Sequence, residues 1–165
     1  MCIRDSSKES TIENVHTKDV TTEFGEFKLN VWRDVIFDEY HFSLTKGSPE
    51  KVDVPMVRVQ TQSVLQDTLG IDEIGKKWSI RKSLQKIADE GTGVFVLINH
   101  RDAKTYWLSN LRDENIEPKR NRRVIGIGSQ ILRAIGLNKI KVLGTPTKYS
   151  GLSGFNIEIE GFIDE

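Results

Sequence analysis

The stretch "SIRKSLQKIADEGTGVFVLINH", residues 79–100, joins a helical period to a strand-length apolar run. Its first half places four apolar residues on one helical face: Ile80, Leu84, Ile87 and Ala88. Ser79 is a suitable N-cap, and Gly91 stands where such a helix would end. The continuous apolar run at 93–98 is typical of a strand that is covered on both faces of a sheet. We therefore expect an amphipathic helix that leads into a central strand.

Upstream of this unit, the sequence predicts an antiparallel meander. Residues 23–34 and 35–47 each alternate apolar with charged or polar positions, as half-exposed strands do. Residues 53–62 predict a third strand, and residues 63–71 predict a short helical turn that ends at Gly70.

Downstream, helical and strand patterns alternate. Residues 101–121 predict a short helix and an exposed loop, with the helix stopping before Pro118. The second amphipathic helix, closed by Gly136, has an apolar face of four residues: Ile127, Ile131, Leu132 and Ile135. Residues 139–143 predict a strand, and residues 153–165 a closing edge or hairpin strand. Together these elements predict a mixed-sheet α/β or α+β domain with packed helices.

Residues 1–20 are polar and lack a sustained period, which predicts a disordered tail or a linker remnant that does not pack. Residues 21–165 then form one domain, the expected number for a chain of 165 residues. We also expect the natural polypeptide to extend upstream of the tail.

Composition limits the classes of partner. The chain has 24 lysines and arginines against 24 aspartates and glutamates, so no net charge attracts nucleic acid or an anionic membrane. No apolar run approaches the roughly 18 residues of a spanning helix, and the N-terminus lacks a secretory signal. Cys2 is the only cysteine, which excludes an internal disulfide and favours a reducing compartment. We expect a cytoplasmic protein without nucleic-acid or membrane partners.

Two segments carry a family resemblance, "GTGVFVLINHR" at 91–101 and "RRVIGIGSQILRAIGLNKIKVLGTPTKYSGLSGFNIEI" at 122–159. Their order and spacing are similar to the C-terminal half of GTP cyclohydrolase II, the zinc enzyme that opens riboflavin biosynthesis. The family's "YGIGAQIL" resembles "IGIGSQIL" at 125–132, and its "RVHSEC" resembles residues 58–63 more faintly. The resemblance implies the mixed-sheet fold of that family and a homodimer.

The zinc ligands of the family are not matched. The family coordinates zinc with three cysteines, one in "RVHSEC" and two in a downstream "RCDCG". Ser63 stands at the first position, and residues 71–79 contain no cysteine. A serine hydroxyl stays protonated near neutral pH and is a poor zinc ligand. We expect His16, His41 and His100 to be ordinary surface or core histidines, and we expect no metal or other cofactor.

Other parts of the family's mechanism also differ. Its substrate-contacting "RQEGRGIGL" loop corresponds to "RDAKTYWL" at 101–108, where Tyr106 and Trp107 either pack on the sheet or stack on a base. The family's "D-x-R" pair, a proton acceptor and a nucleophilic arginine, corresponds to Asn121 and Arg123. Asparagine cannot accept the proton, so only a vestige of the catalytic pair remains.

Six residues are candidates for binding a phosphate-bearing nucleotide: Arg122, Arg123, Gly126, Gly128, Thr145 and Lys148. One interpretation is that the two glycines open a helix whose N-terminal amides meet an anion beside both arginines. Thr145 and Lys148 would then match, with a one-residue gap, the family's nucleotide-contacting threonine and lysine. In the other interpretation the glycines permit close helix–sheet packing, the arginines are solvated, and the segment that contains Thr145 and Lys148 is a turn.

The departures from the family's pattern favour a non-catalytic function. Cyclohydrolase II domains commonly follow 3,4-dihydroxy-2-butanone 4-phosphate synthase in one riboflavin-pathway polypeptide. We therefore expect a degenerate domain that supports or regulates a fused or associated synthase, by dimerisation or by sensing a nucleotide. The alternative is a divergent cyclohydrolase that hydrolyses GTP or a related purine nucleotide with a metal supplied elsewhere. A stand-alone nucleotide-binding protein is a third hypothesis that the sequence leaves open.

Overall fold

The computed structural model describes residues 11–71, 78–99, 111–112, 118–144 and 157–164, and for residues 118–122 it describes the backbone alone. Seven strands form one sheet: β1 (Ile12–Thr22), β2 (Gly25–Asp34), β3 (Glu39–Lys46), β4 (Met56–Thr61), β5 (Gly93–Ile98), β6 (Lys139–Leu143) and β7 (Glu158–Ile163). Among the described residues, the helices α1 (Ile80–Glu90) and α2 (Pro118–Ile135) pack on this sheet. None of the helices in the described part is long and apolar enough to cross a membrane.

The sheet is mixed, with the strand order β1-β2-β3-β5-β4-β6-β7. The first three strands pair antiparallel, as the meander predicts, and β3 pairs antiparallel with β5. From β5 to β7 the pairs are parallel. The central position of β5 and the edge position of β7 are confirmed. Because β7 is parallel to β6, the hairpin alternative for the closing strand is wrong.

Helix α1 and strand β5 form as the opening stretch predicts. The Ser79 hydroxyl accepts a hydrogen bond from Lys82 N at 3.1 Å, and Gly91 closes the helix at φ +86°. Alternate residues of β5 contribute to the two core clusters that the sheet separates, with Val94 and Val96 in the cluster containing α2 residues and Phe95 in the one containing α1 residues. The strand is thus covered on both faces.

Strand β1 corrects the predicted N-terminal tail. Residues 12–20 were expected not to pack, yet β1 pairs with β2 from Ile12 opposite Asp34 to Thr22 opposite Gly25. Ile12 lies in the core, and Thr11 N donates to Gln130 Oε1 of α2 at 2.6 Å. Most other β1 side chains are exposed, so this edge strand is stabilised mainly by backbone pairing, which a side-chain pattern does not record. Residues 1–10 lie outside the described residues.

Helix α2 corrects the prediction for its N-terminal part. Residues 118–121 were predicted as part of an exposed loop, yet they are helical, and Pro118 is the first described residue of the helix. Proline is tolerated in the first turn of a helix as well as just beyond a helix end. The helix closes at Gly136, as predicted, where Gly136 N donates to the carbonyls of Leu132 and Arg133. The other segment of the predicted short helix and loop, residues 101–117, is described only at 111–112.

Two smaller elements agree with the sequence in part. The predicted turn after β4 is present as a wide helical turn at Val64–Thr68, and Gly70 adopts φ +73°. The strand predicted over 35–47 is shorter, because residues 35–38 form the turn that connects β2 to β3.

Candidate functional site

Arg123 is the one candidate whose side-chain contacts are described. It lies on α2, and its guanidinium forms an ion pair with the carboxylate of Glu39, the first residue of β3. The same guanidinium lies over the ring of Phe37, 3.9 Å from the ring centre. Glu39 is buried and Arg123 is half-buried. These contacts fix α2 to the start of β3.

The glycine pair does not open a helix. Gly126 and Gly128 lie in the interior of α2, so their amides are within the run of intrahelical hydrogen bonds and do not point at a ligand. A Cβ added to Gly128 would lie 2.7 Å from Cγ1 of Val59 on β4, whereas one at Gly126 would meet nothing within 4 Å. The alternative interpretation, close helix–sheet packing, therefore holds for Gly128.

The remaining candidates have no described side chains. Asn121 and Arg122 lie in α2, where only their backbone is described. The other residues lie outside the described residues: Thr145, Lys148, Tyr106, Trp107 and His100. The described range 118–144 ends immediately before Thr145, and the next described residue is Ile157.

A buried cluster of Asp34, Glu39 and His41 lies next to Arg123. One ligand-type atom from each of the three residues lies within 4.8 Å of the others. His41 Nδ1 accepts a hydrogen bond from Asn99 N at 2.9 Å, and Asp34 Oδ1 accepts one from Ile36 N at 2.9 Å. The spacing of these atoms would allow a divalent metal. Glu39 is also ion-paired with Arg123, and Asp34 holds the turn that follows β2. His41 is fully buried, so it is a core histidine and not a surface one.

Sequence reasoning missed this cluster and the partners of Arg123. One signal was present, because Glu39 and His41 are two residues apart and share one face of β3. Asp34 lies directly opposite Glu39 in the β2–β3 pairing. The predicted strand over 35–47 hid this relation, since it left no turn to bring Asp34 back beside Glu39.

Ser63 caps the turn that follows β4. Its hydroxyl accepts a hydrogen bond from Gln66 N at 3.3 Å. Asp67 accepts hydrogen bonds from Ser63 N at 2.7 Å and from Ile80 N at 3.4 Å, and thereby connects the end of β4 to the first residue of α1. Residues 72–77, which precede α1, lie outside the described residues.

The family model for GTP cyclohydrolase II matches residues 13–164. The chain belongs to the GTP cyclohydrolase II family. This match includes all of β1 except Ile12, and it confirms the family that the sequence suggested.

The similar proteins belong to riboflavin biosynthesis and are longer than this chain. A Pseudomonas aeruginosa 3,4-dihydroxy-2-butanone 4-phosphate synthase is 30% identical over 161 residues, which cover 94% of this chain and 44% of that protein. A riboflavin biosynthesis protein RibBA from Cytophaga hutchinsonii is 29% identical over 166 residues, 92% of this chain and 41% of that protein. The chain thus spans less than half the length of these relatives.

A solved structure has the same fold. It is RibBX from A. baumannii, described as a two-domain 3,4-dihydroxy-2-butanone 4-phosphate synthase. The TM-score is 0.65 at 27% sequence identity, and the match covers 96% of this chain and 42% of that one. The α+β fold with its mixed sheet is therefore shared by a protein named for the synthase activity.

Proposed function

We propose that this chain is a non-catalytic GTP cyclohydrolase II-like domain that supports or regulates a 3,4-dihydroxy-2-butanone 4-phosphate synthase. The observation that carries the proposal is the state of Arg123, the position that resembles the family's nucleophilic arginine. Its guanidinium is ion-paired with buried Glu39 and stacked on Phe37. These two contacts hold the guanidinium in place, so Arg123 could reach a substrate only by leaving both Glu39 and Phe37.

The replaced zinc position supports the same proposal. At Ser63 a hydroxyl that accepts a backbone hydrogen bond replaces a thiolate, and no cysteine follows in residues 64–165. This donor set does not fit a three-thiolate zinc site, so we assign no step of a reaction to zinc. Asn121, at the position of the proton acceptor, has no basic atom to serve that role.

The relatives support the synthase partner. Several are named 3,4-dihydroxy-2-butanone 4-phosphate synthase, and this chain matches less than half of each. We propose that the synthase is fused to this chain or associated with it, that the assembly is a cytoplasmic homodimer, and that the domain begins near Ile12.

We also propose that the domain binds a phosphate-bearing nucleotide, with fewer candidate contacts than the sequence indicates. The amides of Gly126 and Gly128 are excluded as donors, and Arg123 could contact an anion only in competition with Glu39. Arg122, Thr145 and Lys148 remain as candidates. If they bind, calorimetry with GTP should give a heat that weakens with salt and is lost in Lys148→Ala.

The test of non-catalysis is an assay on the purified chain with GTP and Zn²⁺. We expect no release of formate or pyrophosphate above a protein-free control. The divergent-cyclohydrolase alternative, which the family match itself favours, predicts release of both products and about one zinc per chain by elemental analysis.

The supporting role needs a separate test. We expect the synthase of the same organism to lose activity faster on heating when this domain is deleted or withheld. Equal half-lives with and without the domain would contradict a supporting role.

A further inference from the structure

The turn between β2 and β3, residues 35–38, which we call the β2–β3 tip, presents three consecutive apolar side chains to solvent. Val35 is 47% exposed, Ile36 64% and Phe37 51%. Tyr40, on the adjoining strand, is also exposed. Turn residues are usually polar or glycine, and a run of exposed apolar residues is a recognised mark of a contact surface. The tip therefore has the composition of a surface that a partner covers.

The β2–β3 tip is restrained on several sides. Asp34 Oδ1 accepts hydrogen bonds from the backbone nitrogens of Ile36 at 2.9 Å and Phe37 at 3.4 Å. Val35 N donates to Thr11 O at 2.9 Å, and the Phe37 ring lies under the guanidinium of Arg123. A segment that is already ordered loses little conformational entropy when it binds, so its apolar area contributes more fully to affinity.

A polar rim borders the tip. Arg33 Nε donates to Asp38 Oδ1 at 2.9 Å, and Arg33 Nη1 lies 3.3 Å from Glu13 Oε1. Arg33 donates hydrogen bonds to Asp38 and to Glu13, and these bonds, first that to Asp38, raise the pKa of Arg33. An apolar centre within a charged rim is the usual organisation of a protein–protein interface.

From these observations we infer that the β2–β3 tip docks against the synthase domain, an inference that rests on the proposed function. The relatives that this chain matches continue for more than half of their length outside the matched part. A polypeptide or complex of that architecture contains a second folded domain that is available to cover the tip. Contact there would also reach Arg123 through Phe37, and so place the synthase next to the remnant of the catalytic pair.

Hydroxyl-radical footprinting tests this inference. The oxidation of Ile36 and Phe37 is measured by mass spectrometry in the chain alone and in the presence of the synthase of the same organism, fused or separate. We expect a several-fold fall in oxidation at the tip when the synthase is present. Val52 is the internal reference, because it is 39% exposed and follows the far end of β3, whereas the tip precedes the start of that strand.

A variant pair distinguishes docking from an indirect effect. Ile36→Ser should return the oxidation of Phe37 to the level of the chain alone, whereas Val52→Ser should leave the protection in place. Unchanged oxidation at the tip in the presence of synthase would overturn the inference. It would also be overturned if the tip became protected in the chain alone at high concentration and lost that protection in Ile36→Ser, because a second copy would then be the occupant. Neither result bears on formate release, so the proposed function is judged separately.

Discussion

Arg123→Met should destabilise the fold by about 3 kcal/mol. The substitution keeps an unbranched apolar stem and removes the charge that faces Glu39, whose side chain is 4% exposed. Removing one partner of a buried ion pair costs about 3–5 kcal/mol, because the remaining charge stays buried. We take the lower end of that range because the Arg123 side chain is itself 20% exposed and keeps some contact with water.

Arg81→Met is the matched control. Arg81 also pairs with a glutamate, Glu23, and also lies over a phenylalanine ring, that of Phe24, at 5.5 Å from the ring centre. The side chains of this pair are 65% and 55% exposed, so the two arginines differ chiefly in burial. Exposed ion pairs contribute about 0–1 kcal/mol, and we expect the control to lose no more than that.

Urea unfolding, followed by tryptophan fluorescence, gives the free energy of unfolding of the parent and of both variants. The comparison holds when the slope of that free energy against urea concentration is the same in all three proteins. If Arg123→Met costs no more than Arg81→Met, the pair with Glu39 is not a structural clamp. Glu39 would then not hold Arg123, and the guanidinium would be available to a substrate, contrary to the proposed function.

Two further predictions concern the packing of α2. Gly128→Ala should destabilise the domain by about 1–3 kcal/mol, because its Cβ would lie 2.7 Å from Cγ1 of Val59. Gly126→Ala, whose Cβ would have nothing within 4 Å, should be neutral or stabilising by up to about 1 kcal/mol. Thermal unfolding measures both variants, and equal shifts in the unfolding temperature would contradict the packing of Gly128 on Val59. Ile131→Ala should lower the free energy of unfolding by about 2–5 kcal/mol, because Ile131 is fully buried in the core. Lys139→Ala is the control and should change it little, because Lys139 is exposed. Similar unfolding midpoints of the two variants in urea would show that the buried face of α2 is misassigned.

Much of the fold follows from side-chain periodicity. Helix α1 and strand β5 could be predicted because burial on one face or on both faces leaves a pattern in the sequence. Strand β1 could not, because most of its exposed side chains are polar and its stability comes mainly from backbone pairing. The start of α2 was misplaced because Pro118 is compatible with either the end of one helix or the first turn of the next.

The candidate site was predictable only in part, for a different reason. Arg123 could be selected from the motif it belongs to, but its partner Glu39 is 84 positions away in the sequence and Phe37 lies in a turn that was assigned to a strand. Contacts between distant segments depend on strand order and register, which a single sequence does not determine. Likewise Gly-x-Gly before an apolar helical face is equally consistent with a phosphate-binding turn and with close packing of a helix interior.

Formate release from GTP in the presence of Zn²⁺ tests the central claim most directly, when the parent chain and Arg123→Lys are compared at equal concentration. The variant keeps the positive charge near Glu39 but removes the guanidinium. We predict that neither protein releases formate above the protein-free control. Formate release by the parent that is abolished in Arg123→Lys would show a working arginine and would contradict the proposal that this domain is non-catalytic.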